Sequence, residues 1–97
     1  MVQAAERVVI TGLGVVSSMG LGVDEFRAGL RAGRNTARPI TAFDTTGFEH
    51  AYGCEVTGFD PRDWIHTLDP AELGRASQFA VAAARMAIDD AALPVAR

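Results

Sequence analysis

The residues best suited to bind a ligand come first in the chain, where an apolar run leads into a glycine-rich stretch. Residues 8–10 (VVI) are followed by Gly12 and Gly14 within "RVVITGLGVVSSMGLG", residues 7–22. A strand that ends in glycines can cradle a phosphate, because backbone amides in the turn and at the start of the next helix point at the anion. The chemistry in question is therefore nucleotide binding.

The spacing of these glycines does not match a nucleotide fingerprint. A dinucleotide site needs G-x-G-x-x-G with a helix beginning inside the motif, but the third position falls on Ser17 and the next helix is predicted only at Asp24. The stretch also contains no lysine, as a phosphate-binding P-loop requires. A backbone role for Gly12 and Gly14 is favoured, and a small nucleotide-binding α/β domain stays an alternative.

The second candidate for chemistry is Cys54, the only cysteine, with His50 four residues before it. A cysteine and a histidine can form a nucleophile pair, but no helix N-terminus precedes Cys54 to lower its pKa, so a buried, inert thiol is predicted. His66 stands too far from other ligand types for a metal site. Asp89 and Asp90 are interpreted as a solvated edge, because adjacent residues do not share a helix face.

Composition narrows the classes of protein to consider. The 97 residues carry a net charge of −3, so no basic field favours nucleic acid. A single cysteine favours a reducing compartment, and neither a leader pattern nor a bilayer-length apolar stretch is present in the sequence. A cytoplasmic protein without nucleic-acid or membrane partners is expected.

The first half of the chain predicts short elements separated by turns. Residues 8–10 are typical of a strand buried on both faces, as in a parallel sheet. A helix is predicted from an Asp24 N-cap to Gly33, which suits the position after a helix end. Pro39 is expected to interrupt regular structure, and residues 51–56 (AYGCEV) predict another short strand.

The second half predicts one short and one long helix. Asp60 caps a helical turn that holds Trp64 as an apolar anchor, and Asp69 caps the long helix, with Glu72 at capping-box spacing and Pro94 as its stop. Small residues recur along one face of that helix: Ala76, Ala80, Ala83, Ala87 and Ala91. Such a helix needs a large surface to pack on, so the chain is expected either to oligomerise or to begin a longer polypeptide.

Four segments, taken together, resemble the N-terminal quarter of β-ketoacyl-acyl-carrier-protein synthases, the condensing enzymes of the thiolase fold. They are "RVVITGLGVVSSMGLGVDEFRAGLRAGR", "RPITAFDTTGF", "GCEVTGFDP" and "SQFAVAAARMAIDDAAL", and the resemblance runs from Arg7 to Leu93. It implies an α/β fold, the N-terminal part of a thiolase-like αβαβα layered fold that is incomplete in this chain. Residues 1–97 would form one segment of the synthase N-terminal domain.

The resemblance also implies an acyltransferase activity in fatty-acid or polyketide biosynthesis. Such enzymes take an acyl chain on a cysteine, decarboxylate a malonyl thioester and join the two in a Claisen condensation. Their nucleophilic cysteine and catalytic histidines fall beyond this chain, and Cys54, His50 and His66 match none of them. No catalytic, cofactor-binding or metal residue is therefore assigned, no cofactor is expected, and the 97-residue chain alone is predicted to be inactive.

The implied partners are an acyl carrier protein and a second ketosynthase subunit, in a homodimer or heterodimer. Fatty-acid-type relatives carry a basic carrier-docking cluster where this chain has Thr67, Leu68, Ala71 and Glu72, with Arg75 the one basic residue nearby. Gly74 replaces an aspartate there, and Ser18 replaces a proline, which should loosen the first turn. A catalytic ketosynthase is favoured, and a non-catalytic chain-length-factor-like partner remains open.

Overall fold

The computed structural model describes residues 5–95 as a mixed α/β chain with two main helices and two small hairpins. β1 (Val16–Ser17) pairs antiparallel with β2 (Gly20–Leu21), and β3 (Arg38–Pro39) pairs antiparallel with β4 (Tyr52–Gly53). Helix α1 spans Val23–Ala32 and helix α2 spans Arg75–Ala91. Two single 3₁₀ turns, Pro61–Asp63 and Pro70–Glu72, lie between β4 and α2.

The predicted buried strand at residues 8–10 is not present. Val8, Val9 and Ile10 are 96%, 69% and 82% exposed and belong to no sheet. A continuous apolar strand is stable only between neighbours that cover both faces and both edges. Within residues 5–95 no strand pairs with this run, so the prediction is wrong for the chain as it stands.

Helix α1 matches its prediction at the end but not at the start. Gly22, not Asp24, precedes the helix and offers no side-chain cap. The carboxylate of Glu25, in the first turn, instead accepts a hydrogen bond of 2.6 Å from the Leu21 amide and so ties the helix to β2. Gly33 ends the helix in the left-handed conformation at φ 65°, as predicted.

Pro39 lies within a strand, contrary to the expectation that it would interrupt regular structure. The β3–β4 hairpin has only two strands, so a residue without an N–H is tolerated at its open edge. The next amide, Ile40, donates to the Ala51 carbonyl at 2.8 Å and continues the pairing. The predicted strand at residues 51–56 is confirmed only for its part at Tyr52–Gly53.

Glu55, just after β4, forms hydrogen bonds with the loop that follows β3. Its carboxylate accepts hydrogen bonds from the Thr41 amide at 2.8 Å, the Thr41 hydroxyl at 3.1 Å and the Ala42 amide at 3.0 Å. The Thr41 amide bond is the main reason that the pKa of Glu55 lies below its ordinary value of 4.5. The ionised form therefore holds the two loops together.

In acid, protonation of Glu55 is expected to break the hydrogen bonds that its carboxylate accepts from Thr41 and Ala42. Because the folded pKa is lowered, the contribution is complete above about pH 4.5 and disappears as the pH falls through the folded pKa. The amide shift of Thr41, followed by NMR from about pH 6 to about pH 3, should report that loss. Glu55→Gln should remove the transition, whereas Glu49→Gln, which deletes the same charge, should leave it; an unchanged profile in Glu55→Gln would contradict the assignment.

The long helix begins five residues later than its capping signals predict. Asp69 does act as a cap, accepting from the Ala71 amide, but it caps the separate 3₁₀ turn Pro70–Glu72. Gly74 then adopts an extended conformation, which costs less than keeping a glycine inside a helix. The predicted continuous helix from residue 70 is therefore wrong, although α2 does end before Pro94, as expected.

The described chain is elongated and has little core. Its radius of gyration is 17.7 Å, against about 12.5 Å for a compact domain of this length. Ile65 and Ala82 carry its only buried hydrophobic side chains between positions 5 and 95. Trp64 is half-buried, as an anchor should be, but its indole Nε1 is shielded from solvent with no acceptor among the described residues. The expectation that α2 needs more surface than the chain offers agrees with this shape.

Candidate functional site

The glycines of the opening stretch lie directly against helix α2. A Cβ built on Gly12 would meet the Ala87 carbonyl and stand 2.6 Å from the Ala91 nitrogen. A Cβ on Gly14 would meet the Ala83 carbonyl and stand 2.9 Å from the Ala87 nitrogen. The glycines therefore serve close backbone packing, and three of the predicted alanines line the face that receives them.

A side chain of α2 also fixes the position of the opening stretch along the helix. The backbone amide of Leu13, between the two glycines, donates to Asp90 Oδ2 at 3.0 Å. The interpretation of Asp90 as part of a solvated edge is incomplete, because its carboxylate is exposed yet holds the opening stretch. A charged acceptor at that point strengthens the bond to the amide. We name this arrangement of Gly12, Leu13 and Gly14 on α2 the glycine seat.

The space beside the glycine seat does not suit a phosphate. A cavity of about 260 Å³ lies between the opening stretch, α1 and α2, and the carboxylates of Asp24 and Asp90 line it. Leu13 and the first turn of α1 reach the same cavity, but Asp24 and Asp90 bring two negative charges there, and like charge opposes the binding of a phosphate. The geometry therefore argues against the nucleotide-binding alternative.

The turn at Ser18 is held by a hydrogen bond to another segment of the chain. The hydroxyls of Ser18 and Thr36 lie 2.7 Å apart and share a hydrogen bond, which links the β1–β2 turn to the segment after α1. A hydroxyl at this position thus supplies a contact that a proline could not make. The expectation that Ser18 loosens the turn is not supported by this geometry.

Cys54 is exposed, contrary to the prediction of a buried thiol. It follows a two-residue strand at the edge of a two-stranded hairpin, where no second layer covers it. It borders a cavity of about 280 Å³ together with Arg75 and Phe79. His50 is exposed and makes no hydrogen bond to the thiol, so no base activates it in the described chain.

The other candidate ligands are equally scattered. His66 is exposed, and residues 5–95 contain no group of three histidine, cysteine or carboxylate side chains that could hold a metal ion. In the same range, no helix has the length and apolar character to cross a membrane.

Arg75, the one basic residue left near the expected carrier-docking patch, is already engaged within the chain. Its guanidinium lies 5.1 Å from the ring centre of Phe59 and 4.7 Å from that of Phe79. The two rings meet edge to face at 5.0 Å. Sequence reasoning missed this cluster, although the four-residue spacing of Arg75 and Phe79 on one helix could have indicated it.

The surface around this cluster is acidic. Arg62 donates two hydrogen bonds to the carboxylate of Asp60, at 3.0 and 2.8 Å. The exposed carboxylates of Asp63, Asp69 and Glu72 outnumber the one remaining cation of residues 60–75, Arg75. An acidic partner would meet like charge here, which opposes association. We name residues 60–75 the acidic face.

Comparison with known proteins identifies the family. The β-ketoacyl synthase N-terminal domain model matches residues 5–97. The chain is 37% identical over 90 residues to 3-oxoacyl-[acyl-carrier-protein] synthase 2 of Synechocystis, covering 93% of this chain and 22% of that protein. It is 42% identical over 93 residues to the granaticin polyketide putative β-ketoacyl synthase 1 of Streptomyces violaceoruber, covering 90% of this chain and 21% of that protein.

A solved structure shares both sequence and shape with the chain. The ishigamide ketosynthase/chain length factor is 60% identical, with a TM-score of 0.88 over 94% of this chain and 23% of that one. The chain thus spans about a fifth of the length of the relatives it matches. With the family model matched from residue 5 to residue 97, the chain belongs to the β-ketoacyl synthase family.

Proposed function

We propose that residues 1–97 form the N-terminal segment of a β-ketoacyl-acyl-carrier-protein synthase of fatty-acid or polyketide assembly. The main support for this proposal is the similarity to a ketosynthase/chain length factor, with 60% identity and a TM-score of 0.88 over 94% of the chain. In this proposal the segment begins the first half of a thiolase-like αβαβα layered fold. The glycine seat holds the segment after the opening run (residues 8–10) against α2, and in the whole protein it would position that run as a strand next to this helix.

The reaction proposed for the whole protein is a decarboxylative Claisen condensation. An acyl chain moves from a carrier thioester to a cysteine, and the malonyl thioester loses carbon dioxide. The resulting carbanion attacks the acyl carbonyl, forming a carbon–carbon bond while the cysteine thiolate leaves. None of Cys54, His50 and His66 is proposed to act in these steps, and their exposure on the surface of the described chain supports this proposal. The chain's own contribution is to the scaffold.

A non-catalytic partner subunit is the second candidate. The solved relative is described as a ketosynthase/chain length factor, and the scaffold built by this segment would serve either subunit. We propose an assembly as a homodimer or as a heterodimer with a ketosynthase homologue. The acyl carrier protein is the proposed donor of substrates, and the acidic face makes charge-paired docking of an acidic carrier through residues 60–75 unfavourable.

Segment exchange tests the proposal directly. Residues 5–95 would replace the matching segment of the ishigamide ketosynthase/chain length factor, in each subunit separately, and condensation would be measured with malonyl-loaded carrier protein. A folded exchange protein that keeps at least about a tenth of the parent rate supports the proposal. If activity is retained after exchange in only one of the two subunits, that subunit shows whether the segment belongs to a ketosynthase or to a chain length factor. A folded exchange protein without activity in either subunit would refute it.

The 97-residue chain by itself is expected to catalyse neither decarboxylation nor condensation. It lacks any described pairing of a nucleophile with a base, and Cys54 is exposed without one. Carbon dioxide release from malonyl-loaded carrier protein, measured against buffer and against a complete ketosynthase, checks this expectation. Release above buffer that disappears in Cys54→Ala would show that the chain carries chemistry of its own.

A further inference from the structure

Two neighbouring cavities lie between the β1–β2 turn, the end of α1 and the β3–β4 hairpin. The smaller, which we name the arginine pocket, has a volume of about 200 Å³, and its wall includes two guanidinium groups and three hydroxyls, those of Arg34, Arg38, Ser18, Thr36 and Thr57. The larger, of about 400 Å³, shares Ser18, Arg34 and Thr57 with it and adds the apolar side chains of Met19 and Ala28. Every residue that lines either cavity lies between positions 18 and 57, so one stretch of the chain forms both.

Arg34 brings a positive charge to the wall that the two cavities share. Gly33 ends α1 in the left-handed conformation, and the Arg34 amide then donates to the Gly29 carbonyl at 3.1 Å, which fixes the backbone that carries the side chain. The guanidinium makes no hydrogen bond or ion pair with any of residues 5–95. It is therefore available to donate to an anion, and guanidinium groups suit phosphate and carboxylate oxygens.

Arg38, on β3, supplies a second guanidinium that is already held in place. Its Nη1 donates to the Asn35 carbonyl at 2.9 Å and to the Ala37 carbonyl at 2.7 Å. Its Nη2 and Nε have no acceptor within the described chain, so three N–H groups stay available. Because the two carbonyls position the guanidinium in advance, an anion can bind there with a smaller loss of side-chain freedom.

Hydroxyl groups add uncharged donors to the same cavity. Ser18 and Thr36 share one hydrogen bond at 2.7 Å, so whichever of the two hydroxyls accepts it keeps its own O–H available. The Thr57 hydroxyl makes no hydrogen bond with residues 5–95. Guanidinium and hydroxyl donors that converge on one small cavity are suited to an oxyanion with several oxygens.

The carboxylates at the two cavities restrict which ligand can bind. Glu55 lines the arginine pocket, but its oxygens already accept hydrogen bonds from Thr41 and Ala42 in the loop after β3. Two guanidinium groups against this one carboxylate leave the lining of the arginine pocket with an excess of positive charge, in a chain whose net charge is −3. Glu25 adds a negative charge at the larger cavity. The anionic group of a ligand therefore fits the arginine pocket, and the part in the larger cavity has to be uncharged.

We propose that the arginine pocket binds the phosphate of a small phosphate monoester, whose uncharged organic part occupies the larger cavity. A phosphate monoester presents three terminal oxygens, enough to accept hydrogen bonds from both guanidinium groups and from the hydroxyls together, whereas a carboxylate presents two. Met19 and Ala28 offer apolar surface to the organic part. The site is independent of the proposed function, because no step of the condensation is assigned to these residues.

Titration of the 97-residue chain with glycerol 3-phosphate tests the proposal. Amide shifts are followed by NMR at constant ionic strength and about pH 7.5, where a phosphate monoester is mainly dianionic. Saturable shifts are expected at Ser18, Ala28 and Arg34. Arg34→Gln and Arg38→Gln should each weaken binding by about fivefold or more, because each removes charge-assisted donors. Arg27→Gln, the same change of charge at an exposed position of α1 that lines neither cavity, should stay within about twofold of wild type.

Two further ligands identify the group that the site recognises. Inorganic phosphate should shift Ser18 and Arg34 but not Ala28, and acetate should bind at least about fivefold more weakly than glycerol 3-phosphate. Acetate that binds as tightly as the ester would indicate a carboxylate site, and binding of inorganic phosphate alone would indicate a site for the free ion; either result overturns the proposal. Shifts that never saturate, or an affinity that Arg34→Gln leaves unchanged while its spectrum stays that of the folded chain, also overturn it.

Discussion

Replacement of Gly14 by valine is expected to detach the opening stretch from α2 and to lower the free energy of unfolding by about 3 kcal/mol. Even the first carbon of a side chain would meet the Ala83 carbonyl and lie 2.9 Å from both the Ala83 carbonyl carbon and the Ala87 nitrogen. These are backbone atoms of a hydrogen-bonded helix and cannot move aside as a flexible side chain could. Urea unfolding followed by helix ellipticity measures the change.

Gly74 provides the matched control for this prediction. A Cβ at Gly74 meets nothing within 4 Å, and its backbone at φ −66° is open to any residue. Gly74→Ala should therefore cost less than about 1 kcal/mol, reflecting only a weaker residue before α2. If Gly14→Val unfolds at the same urea concentration as Gly74→Ala, the opening stretch does not pack on α2 as the structure has it.

The glycine seat also shows how far the sequence predicts this site. The missing third glycine and the late start of α1 were sufficient to favour a backbone role for Gly12 and Gly14, and the structure confirms that role. The surface that receives them was not predictable by local reasoning, because Ala83 and Ala87 lie about seventy residues further along the chain. Alanine at these positions indicates close approach but does not name the approaching segment.

The opening run illustrates a different limit. Three consecutive β-branched residues indicate that the segment would be stable in the interior of a sheet. They do not indicate whether the chain forms that sheet. The described chain contains only two-residue strands, so residues 8–10 keep their strand chemistry without strand pairing. The pattern therefore predicts a strand that is not present within residues 5–95.

The start of α2 was mispredicted because two local signals compete. Asp69 and Pro70 are a strong N-terminal pair, and they do organise a helical turn of the 3₁₀ type. Gly74, four residues later, permits an extended backbone, and Gln78 then donates to the Pro70 carbonyl at 2.9 Å and bridges the break. Capping chemistry predicts where a turn begins, but the residues that follow decide how long the helix runs.

Cys54 and Arg75 show why residue type alone is a weak guide to environment. Free cysteine is usually buried, yet Cys54 borders a thin hairpin that has no covering layer and is exposed. Arg75 is exposed, as is usual for arginine on a helix, but its guanidinium also lies over the rings of Phe59 and Phe79. Both outcomes depend on contacts between segments, which composition does not contain.

The small core around Ile65 is the other place where a single substitution should have a large effect. Ile65 is 6% exposed, and its amide donates to the Pro61 carbonyl at 2.9 Å, so it lies at the end of the first 3₁₀ turn. That turn packs on α2, where Ala82 is fully buried. Ile65 is therefore the larger of the two hydrophobic side chains that are buried within residues 5–95.

Ile65→Ala is expected to destabilise the chain by about 2 to 3 kcal/mol, through lost burial and the cavity left behind. The estimate stays at the lower end of the range for such changes because the chain is elongated, and solvent can fill part of the space. Urea unfolding measures the loss, and Leu68→Ala, at a position 58% exposed, should change stability by less than about 0.5 kcal/mol. Equal effects of the two substitutions would mean that the first 3₁₀ turn does not pack on α2 in solution, and that α2 is held by the glycine seat alone.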